Sequence, residues 1–311
     1  MKNRSLGATG ITVSEIGLGT WPLANPVWGS QDREQAVQVI QQAVAAGCRF
    51  FDTAPGYSDG QNEALLGEAL GPLRAQVSIC TKFGHNAEGT SNFEPGALRP
   101  SLEASLRRLQ TEWVDVCLLH NPPFELLNGA GVSLFEELEH LKADGKLRAY
   151  GVSLDSLEEL EAVIENTRCG VVEVLFNVFH QGPLAAFRRA QARGIGLIVK
   201  VPLDSGWLSG KYRADSRFSG VRDRWSPKIK ARRAALVEQF ATLVPAGTSL
   251  SHAALQYVLA QPEVSTVIPG AKTVAQVQDN IAAGSARLPA DVVCAIHAFW
   301  QRELKSDPLP W

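Results

Sequence analysis

Eight short apolar runs alternating with eight amphipathic stretches along the 311 residues predict a closed (β/α)8 barrel. Two features of the runs support parallel strands covered on both faces. They are continuously apolar instead of alternating, and each is separated from the next by enough chain for a crossover helix. A doubly wound open sheet is the competing architecture. Its dinucleotide fingerprint is missing: Gly17-Leu18-Gly19-Thr20-Trp21-Pro22 offers only G-x-G, followed by residues too bulky for close approach of a phosphate.

In chain order, a short hairpin, Arg4–Leu6 with Val13–Glu15 around Gly7-Ala8-Thr9-Gly10, is expected to plug the barrel bottom. The eight predicted strands are Ile16–Gly19, Cys48–Asp52, Val77–Lys82, Val114–His120, Ala149–Ser153, Val171–Asn177, Gly196–Lys200 and Val264–Pro269. The helical stretches between and after them are Arg33–Ala46, Asn62–Leu70, Leu98–Leu109, Ser133–Asp144, Ser156–Asn166, Leu184–Arg193, Lys228–Val244 and Ser249–Ala260. Gly47, Gly145 and Gly194 follow helical patterns where a left-handed residue closes the last turn. Asp32, Asn62 and Ser133 are placed to cap helix N-termini, and Ser156 with Glu159 fits a capping box. One barrel domain spanning residues 1–311 is expected.

Composition excludes several classes. Hydrophobic content of 45% with 20% charged residues fits a globular domain with a large core, and a net charge of −2 gives no footprint for nucleic acid or a membrane surface. No apolar stretch approaches a membrane span, and Met1-Lys2-Asn3-Arg4-Ser5 lacks the apolar core of a signal peptide, so a cytoplasmic location is expected. The five cysteines, Cys48, Cys80, Cys117, Cys169 and Cys294, include no C-x-x-C pair and read as buried thiols; no metal ligation is expected.

Asp52, Lys82 and His120 close three successive predicted strands, and Tyr57 follows Asp52 by five residues. On neighbouring parallel strands these four groups converge at one barrel mouth. A phenol is a weak acid/base near neutrality, and an ammonium a few Å away shifts it toward phenolate. A lone loop tyrosine or strand-end histidine is ordinarily structural; here the convergence points to acid/base chemistry on a carbonyl or alcohol.

The residues that carry a resemblance extend along nearly the whole chain. They are Phe51-Asp52-Thr53-Ala54-Pro55-Gly56-Tyr57-Ser58, Asn62-Glu63 with Leu66-Gly67, Thr81-Lys82-Phe83-Gly84, Leu118-Leu119-His120-Asn121-Pro122 and Tyr150-Gly151-Val152-Ser153. Pro202-Leu203 with Gly206, Leu208 and Gly210-Lys211-Tyr212, and Ile268-Pro269-Gly270 leading to Asn280, follow in order. In these the chain resembles the aldo-keto reductases. The resemblance implies an NAD(P)(H)-dependent carbonyl reductase with Tyr57 as general acid/base, Lys82 lowering its pKa, Asp52 holding Lys82 and His120 orienting the substrate oxygen.

It also implies a nicotinamide site at Ser153, with three departures from the family's common pattern. Leu154 follows Ser153 where Asn is usual, Glu173 stands where a carboxamide-binding Gln is common (before Phe176-Asn177), and Lys200-Val201 replaces a stacking aromatic. Lys200 either faces the cofactor or snorkels from the mouth. Gly206 and Gly210 allow backbone N–H groups to approach a pyrophosphate. Residues 204–233 carry nine Lys and Arg against three Asp. Of these, Lys228 to Arg233 read as a solvated charged face, and Lys211 to Arg224 as either a flap over the cofactor or a mobile loop. Gly270, Lys272, Gln276 and Asn280 match the family's adenosine segment at a helix N-terminus. Gln276 replaces the Arg that often grips a 2′-phosphate, while Lys272 supplies charge, so NADP(H) is favoured over NAD(H).

Trp21, Trp28, Phe83 and Phe124 are candidates for an apolar substrate wall. The expected reaction is NADP(H)-dependent reduction of an aldehyde or ketone. Its alternatives are oxidation of a sugar's anomeric hydroxyl to a lactone, a cofactor-sensing regulatory subunit, and a Schiff-base aldolase using Lys82, which Asp52 disfavours by keeping that amine protonated. The expected partner is a small carbonyl or sugar, without nucleic acid or membrane, on a monomer or small homo-oligomer.

Overall fold

The computed structural model describes residues 1–23, 25–28, 32–86 and 88–311. A two-stranded antiparallel hairpin, β1 (Asn3–Ser5) and β2 (Thr12–Ser14), precedes eight parallel strands. These are β3 (Leu18–Gly19), β4 (Phe50–Asp52), β5 (Ser78–Phe83), β6 (Val114–His120), β7 (Leu147–Leu154), β8 (Val171–Leu175), β9 (Gly196–Lys200) and β10 (Val264–Val267). Each pairs with the next in sequence order. Bridges Ile16–Val267 and Gly19–Gly270 bring the first strand beside the last, closing the (β/α)8 barrel.

The outer layer is α1 (Arg33–Ala45), α2 (Gln61–Leu70), α3 (Pro95–Arg108), α4 (Val132–Ala143), α5 (Leu157–Asn166), α6 (Phe187–Ala192), α7 (Pro227–Ala241), α8 (Leu250–Leu259), α9 (Val274–Ala283) and α10 (Ala290–Glu303). α9 was expected only as the helix whose N-terminus carries the adenosine segment, and α10 has no counterpart among the predicted elements. Asp32 caps α1, and Ser156 with Glu159 forms the expected capping box on α5. The other two expected caps are corrected. Gly60 and Gly131 hold those positions, and Asn62 is instead buried within α2, where its amide donates to the carbonyls of Thr20 and Leu23. No described helix is long and apolar enough to cross a membrane.

Two apolar layers follow from the two faces of the strands. The outer one lies between barrel and helices, and the inner one fills the barrel with Phe50, Cys80, Val116, Leu118, Ala149, Val171, Ile198 and Ile268. Leu6, Ile11 and Val13 of the hairpin belong to that inner layer, so the hairpin does plug the barrel, each of its strands lying one residue earlier in the chain than expected. Gly7, at φ +55°, sits so close to β9 that an added Cβ would lie 2.3 Å from the Gly194 oxygen and Gly196 nitrogen. Four cysteines are buried as expected; Cys294 on α10 is exposed.

Candidate active site

Strand parity decides which side chains reach the mouth. Asp52 continues the inward face of Phe50, Lys82 that of Cys80, and His120 that of Val116 and Leu118. Their neighbours Phe51, Phe83 and Leu119 therefore point outward into the helix layer. Register then sets His120 beside Ser153, and Ser153 beside Glu173.

The Lys82 ammonium donates to Asp52 Oδ1 at 2.5 Å and to the Thr53 carbonyl at 3.1 Å, and it lies 3.4 Å from Glu173 Oε2. It also lies 5.4 Å from the centre of the Tyr57 ring, which stacks on Trp21 and stands edge-on to His120. Ser153 Oγ donates to Glu173 Oε1 and accepts from Lys200 Nζ, at 2.9 and 2.8 Å. Lys200 Nζ also donates to Asn121 Oδ1 and pairs with Asp155, each at 2.9 Å. Lys200 thus lies along the wall of the mouth and not out in solvent.

Burial and charge act against each other here. Burial would lower the Lys82 pKa, but Asp52 and Glu173 outweigh it and hold the ammonium well above its ordinary value. Burial, with Glu173 nearby, pushes Asp52 well above the usual carboxylate range despite Lys82. Burial also acts to raise Glu173, but Lys82 and Lys200 prevail and hold it low. Tyr57 departs from the sequence expectation. Lys82 does pull its pKa down, but burial is the larger effect and the two carboxylates add to it, so the phenol is raised overall and stays protonated. Burial, then Lys82, Lys200 and His85, keep His120 well below 6.5 and neutral.

Above this cluster opens a cleft of about 680 Å³, within the range of small-molecule and cofactor sites. Its inner end holds Asp52, Tyr57, His120 and Glu173, its middle Lys200, Pro202, Leu203 and Gly206, and its outer end Lys211, Gly270, Lys272, Gln276 and Asn280. Ser153 and Lys82 lie beneath the floor, both buried. Gly210 is outside the cleft; its Cα faces Leu250. Trp21 and Trp28 line the cleft, whereas Phe83 and Phe124 do not: Phe83 meets Phe93, and both pack into the outer layer.

His85, Asn86 and Trp311 also line the cleft and were not anticipated, and Val201, Arg222 and Arg224, from segments read as facing a cofactor, line it as well. Val201 has φ +55°, a strained conformation for a β-branched residue, at the point where the chain turns into the middle of the cleft.

The basic segment after β9 is tied down by aromatic rings. Trp207, Tyr212, Phe218 and Trp225 pack edge-to-face, with Trp207 and Trp225 buried. Arg222 extends from it across the cleft to lie 4.4 Å above the Trp28 ring, and its Nε donates to the Ser205 carbonyl. Arg233, expected on a solvated face, is fully buried against Asp204. Lys272 Nζ donates to the Trp28 carbonyl, and Gln276 Oε1 accepts from the Lys272 backbone.

The lining offers groups that a charged cofactor could meet. His120 Nδ1 and Glu173 Oε2 are buried at the inner end without a hydrogen-bond partner, and cationic side chains gather at the outer end. Comparison with known proteins agrees. The family model described as "Aldo/keto reductase family" matches residues 15–301, and the chain belongs to that family, whose members are oxidoreductases using nicotinamide cofactors. It is 31% identical over 288 residues to L-galactose dehydrogenase of Arabidopsis thaliana, covering 90% of this chain and 87% of that one. It is 29% identical to NADH-specific methylglyoxal reductase of Escherichia coli, covering 91% and 93% respectively. Among solved structures it is similar to the holo form of aldo-keto reductase AKR11C1 from Bacillus halodurans, with TM-score 0.82, 26% identity and 96% of each chain covered.

Proposed function

We propose that this protein interconverts a carbonyl and an alcohol with NADP(H), reducing an aldehyde or ketone, with Tyr57 as the proton donor. The observation that carries the reading is the cluster of Asp52, Tyr57, Lys82 and His120 at the inner end of a cleft of about 680 Å³. The nicotinamide supplies the hydride; the protein handles the charge that develops on the substrate oxygen. Tyr57, protonated because it is buried, gives that oxygen its proton. Neutral His120 offers an N–H to the same oxygen, and Lys82, held by Asp52, steadies the phenolate left behind.

The choice of NADP(H) rests on the outer end, where burial and then the charges of Arg222 and Lys211 depress the Lys272 ammonium. Three cations meeting in one place favour a 2′-phosphate. A second reading, oxidation of an anomeric hydroxyl to a lactone, is favoured by the additional buried carboxylate, Glu173, and by the similarity to L-galactose dehydrogenase.

The test is Tyr57→Phe. Turnover should fall by about 10²–10⁴, the range for losing a general acid, with reduced cofactor still bound in a fluorescence titration. Turnover within a few-fold of wild type would refute the role of Tyr57.

A further inference from the structure

The inner end of the cleft holds more carboxylates than cations to pair with them. Asp52 and Glu173 both address the single Lys82 ammonium, at 2.5 and 3.4 Å, and all three side chains are almost completely buried. Glu173 Oε1 is satisfied by Ser153, while Oε2 has no hydrogen-bond partner. The second cation, Lys200, reaches Glu173 only across the Ser153 hydroxyl and pairs directly with Asp155 at 2.9 Å. The remaining groups around the carboxyl pair are Tyr57, Cys80 and His120. The phenol and thiol are pushed up by burial and the imidazole is pushed down, so none carries charge near neutrality. Two buried carboxylates with one ammonium are one positive charge short, and for side chains so little exposed the least costly remedy is a proton shared by the pair.

The oxidised and reduced nicotinamide rings differ by one positive charge. If the ring occupies the inner end, as the proposed function requires, only the oxidised ring can supply what the pair lacks. We propose that Glu173 makes this cleft select the oxidised cofactor: the pyridinium replaces a proton held between Glu173 and Asp52, which leaves to solvent, while the neutral reduced ring leaves that proton in place. The balance closes, one positive charge entering as one departs. A glutamine at this position would keep the hydrogen bond with Ser153 and the shape of the floor but leave one carboxylate for one ammonium, removing the demand for a further cation. Glu173 is therefore a determinant of which oxidation state of the cofactor the cleft holds.

Calorimetric titrations of the wild type, Glu173→Gln and Tyr57→Phe with NADP⁺ and NADPH, each in two buffers of different ionisation enthalpy, test this. In Glu173→Gln, NADP⁺ affinity should fall on the order of tenfold or more relative to NADPH, the scale of one nearby buried charge. Retained NADPH binding shows that the variant is folded. In the wild type, NADP⁺ binding should release a proton that NADPH binding does not. That release should persist in Tyr57→Phe, which excludes the phenol as its source, and vanish in Glu173→Gln. An unchanged NADP⁺/NADPH affinity ratio in Glu173→Gln, or no proton release from Tyr57→Phe, overturns the proposal while leaving the cofactor site intact. Failure of the wild type to bind either cofactor or its non-phosphorylated analogue would instead refute the reading of the cleft on which the proposal rests.

Discussion

Replacing Arg222 by alanine should loosen the basic segment that spans the cleft without unfolding the barrel. The guanidinium makes two contacts that fasten residues 210–225: it lies 4.4 Å over the Trp28 ring, and its Nε donates at 2.8 Å to the carbonyl of Ser205, in the turn just before the segment. A cation–π contact at a partly exposed site contributes about 0.5–1 kcal/mol and a hydrogen bond from a charged donor about 1.5–3 kcal/mol. Taking the low end of both, because the segment faces solvent on one side, gives about 2 kcal/mol. At about 1.4 kcal/mol per factor of ten, that is roughly 30-fold in the equilibrium between tethered and open segment. Hydrogen exchange followed by mass spectrometry should therefore show amide protection across 210–225 reduced by about that factor in Arg222→Ala. The loss should fade toward Trp207 and Trp225, whose buried rings anchor the segment independently. Cofactor dissociation measured by stopped flow should accelerate in parallel. Unchanged protection would mean that the aromatic cluster alone holds the segment, and the latch assigned to Arg222 would be wrong.

Further outcomes are expected elsewhere. Lys272→Ala should weaken NADPH by about 1.5–3 kcal/mol, the loss of a charge-assisted hydrogen bond, and leave NADH nearly untouched. Gln276→Arg should move preference toward NADPH, and equal weakening of both cofactors by Lys272→Ala would assign that residue to holding Trp28 instead. Arg233→Ala strands the buried Asp204 carboxylate and should cost about 3–5 kcal/mol in urea denaturation; a loss under about 1 kcal/mol would show that water reaches the pair. Because the folded protein holds His120 below 6.5, the stability tied to its neutrality is present above that pH and drains away as pH falls toward the folded value. His120→Gln should accordingly flatten the decline in Tm between about pH 7 and 5, and an identical decline in the variant would place the acid sensitivity elsewhere.

The barrel was legible in the sequence because a strand covered on both faces has to be continuously apolar, and those runs survive without knowledge of the tertiary fold. Element ends moved where the mouth takes over: β8 stops at Leu175 and not Asn177, because Asn177 turns to donate to the Val201 carbonyl. The convergence of Asp52, Tyr57, Lys82 and His120 was legible because strand ends are fixed points in this architecture. Phe83 was misplaced although the information was there, since a residue next to inward Lys82 must point outward. Phe124, past the strand end, offered no such parity. Asn62 and Ser133 resemble caps only while their side chains are assumed to be local; Asn62 spends its amide on a loop some forty residues away. Arg233, Trp311 and the ring cluster around Trp207 depend on chain crossings that periodicity does not encode. α10 lay beyond the eighth alternation, where the repeat count no longer predicted an element.

The hairpin beneath the barrel bears on how the chain reaches this fold. Arg4 donates to the carbonyls of Leu259 and Val264, the latter 260 residues away, and Leu6, Ile11 and Val13 are enclosed by strands spread from β4 to β9. None of these contacts can form until most of the strands have associated, and each must offset the entropy of closing a very long loop. The hairpin, made before the strands that enclose it, is thus among the last elements to find its place, and until it does the floor of the barrel is open to water. A chain lacking the hairpin would expose Phe50, Val116 and Ile198 through that floor, so kinetic partitioning toward aggregation, more than any change at the cleft, is the cost that truncation there would incur.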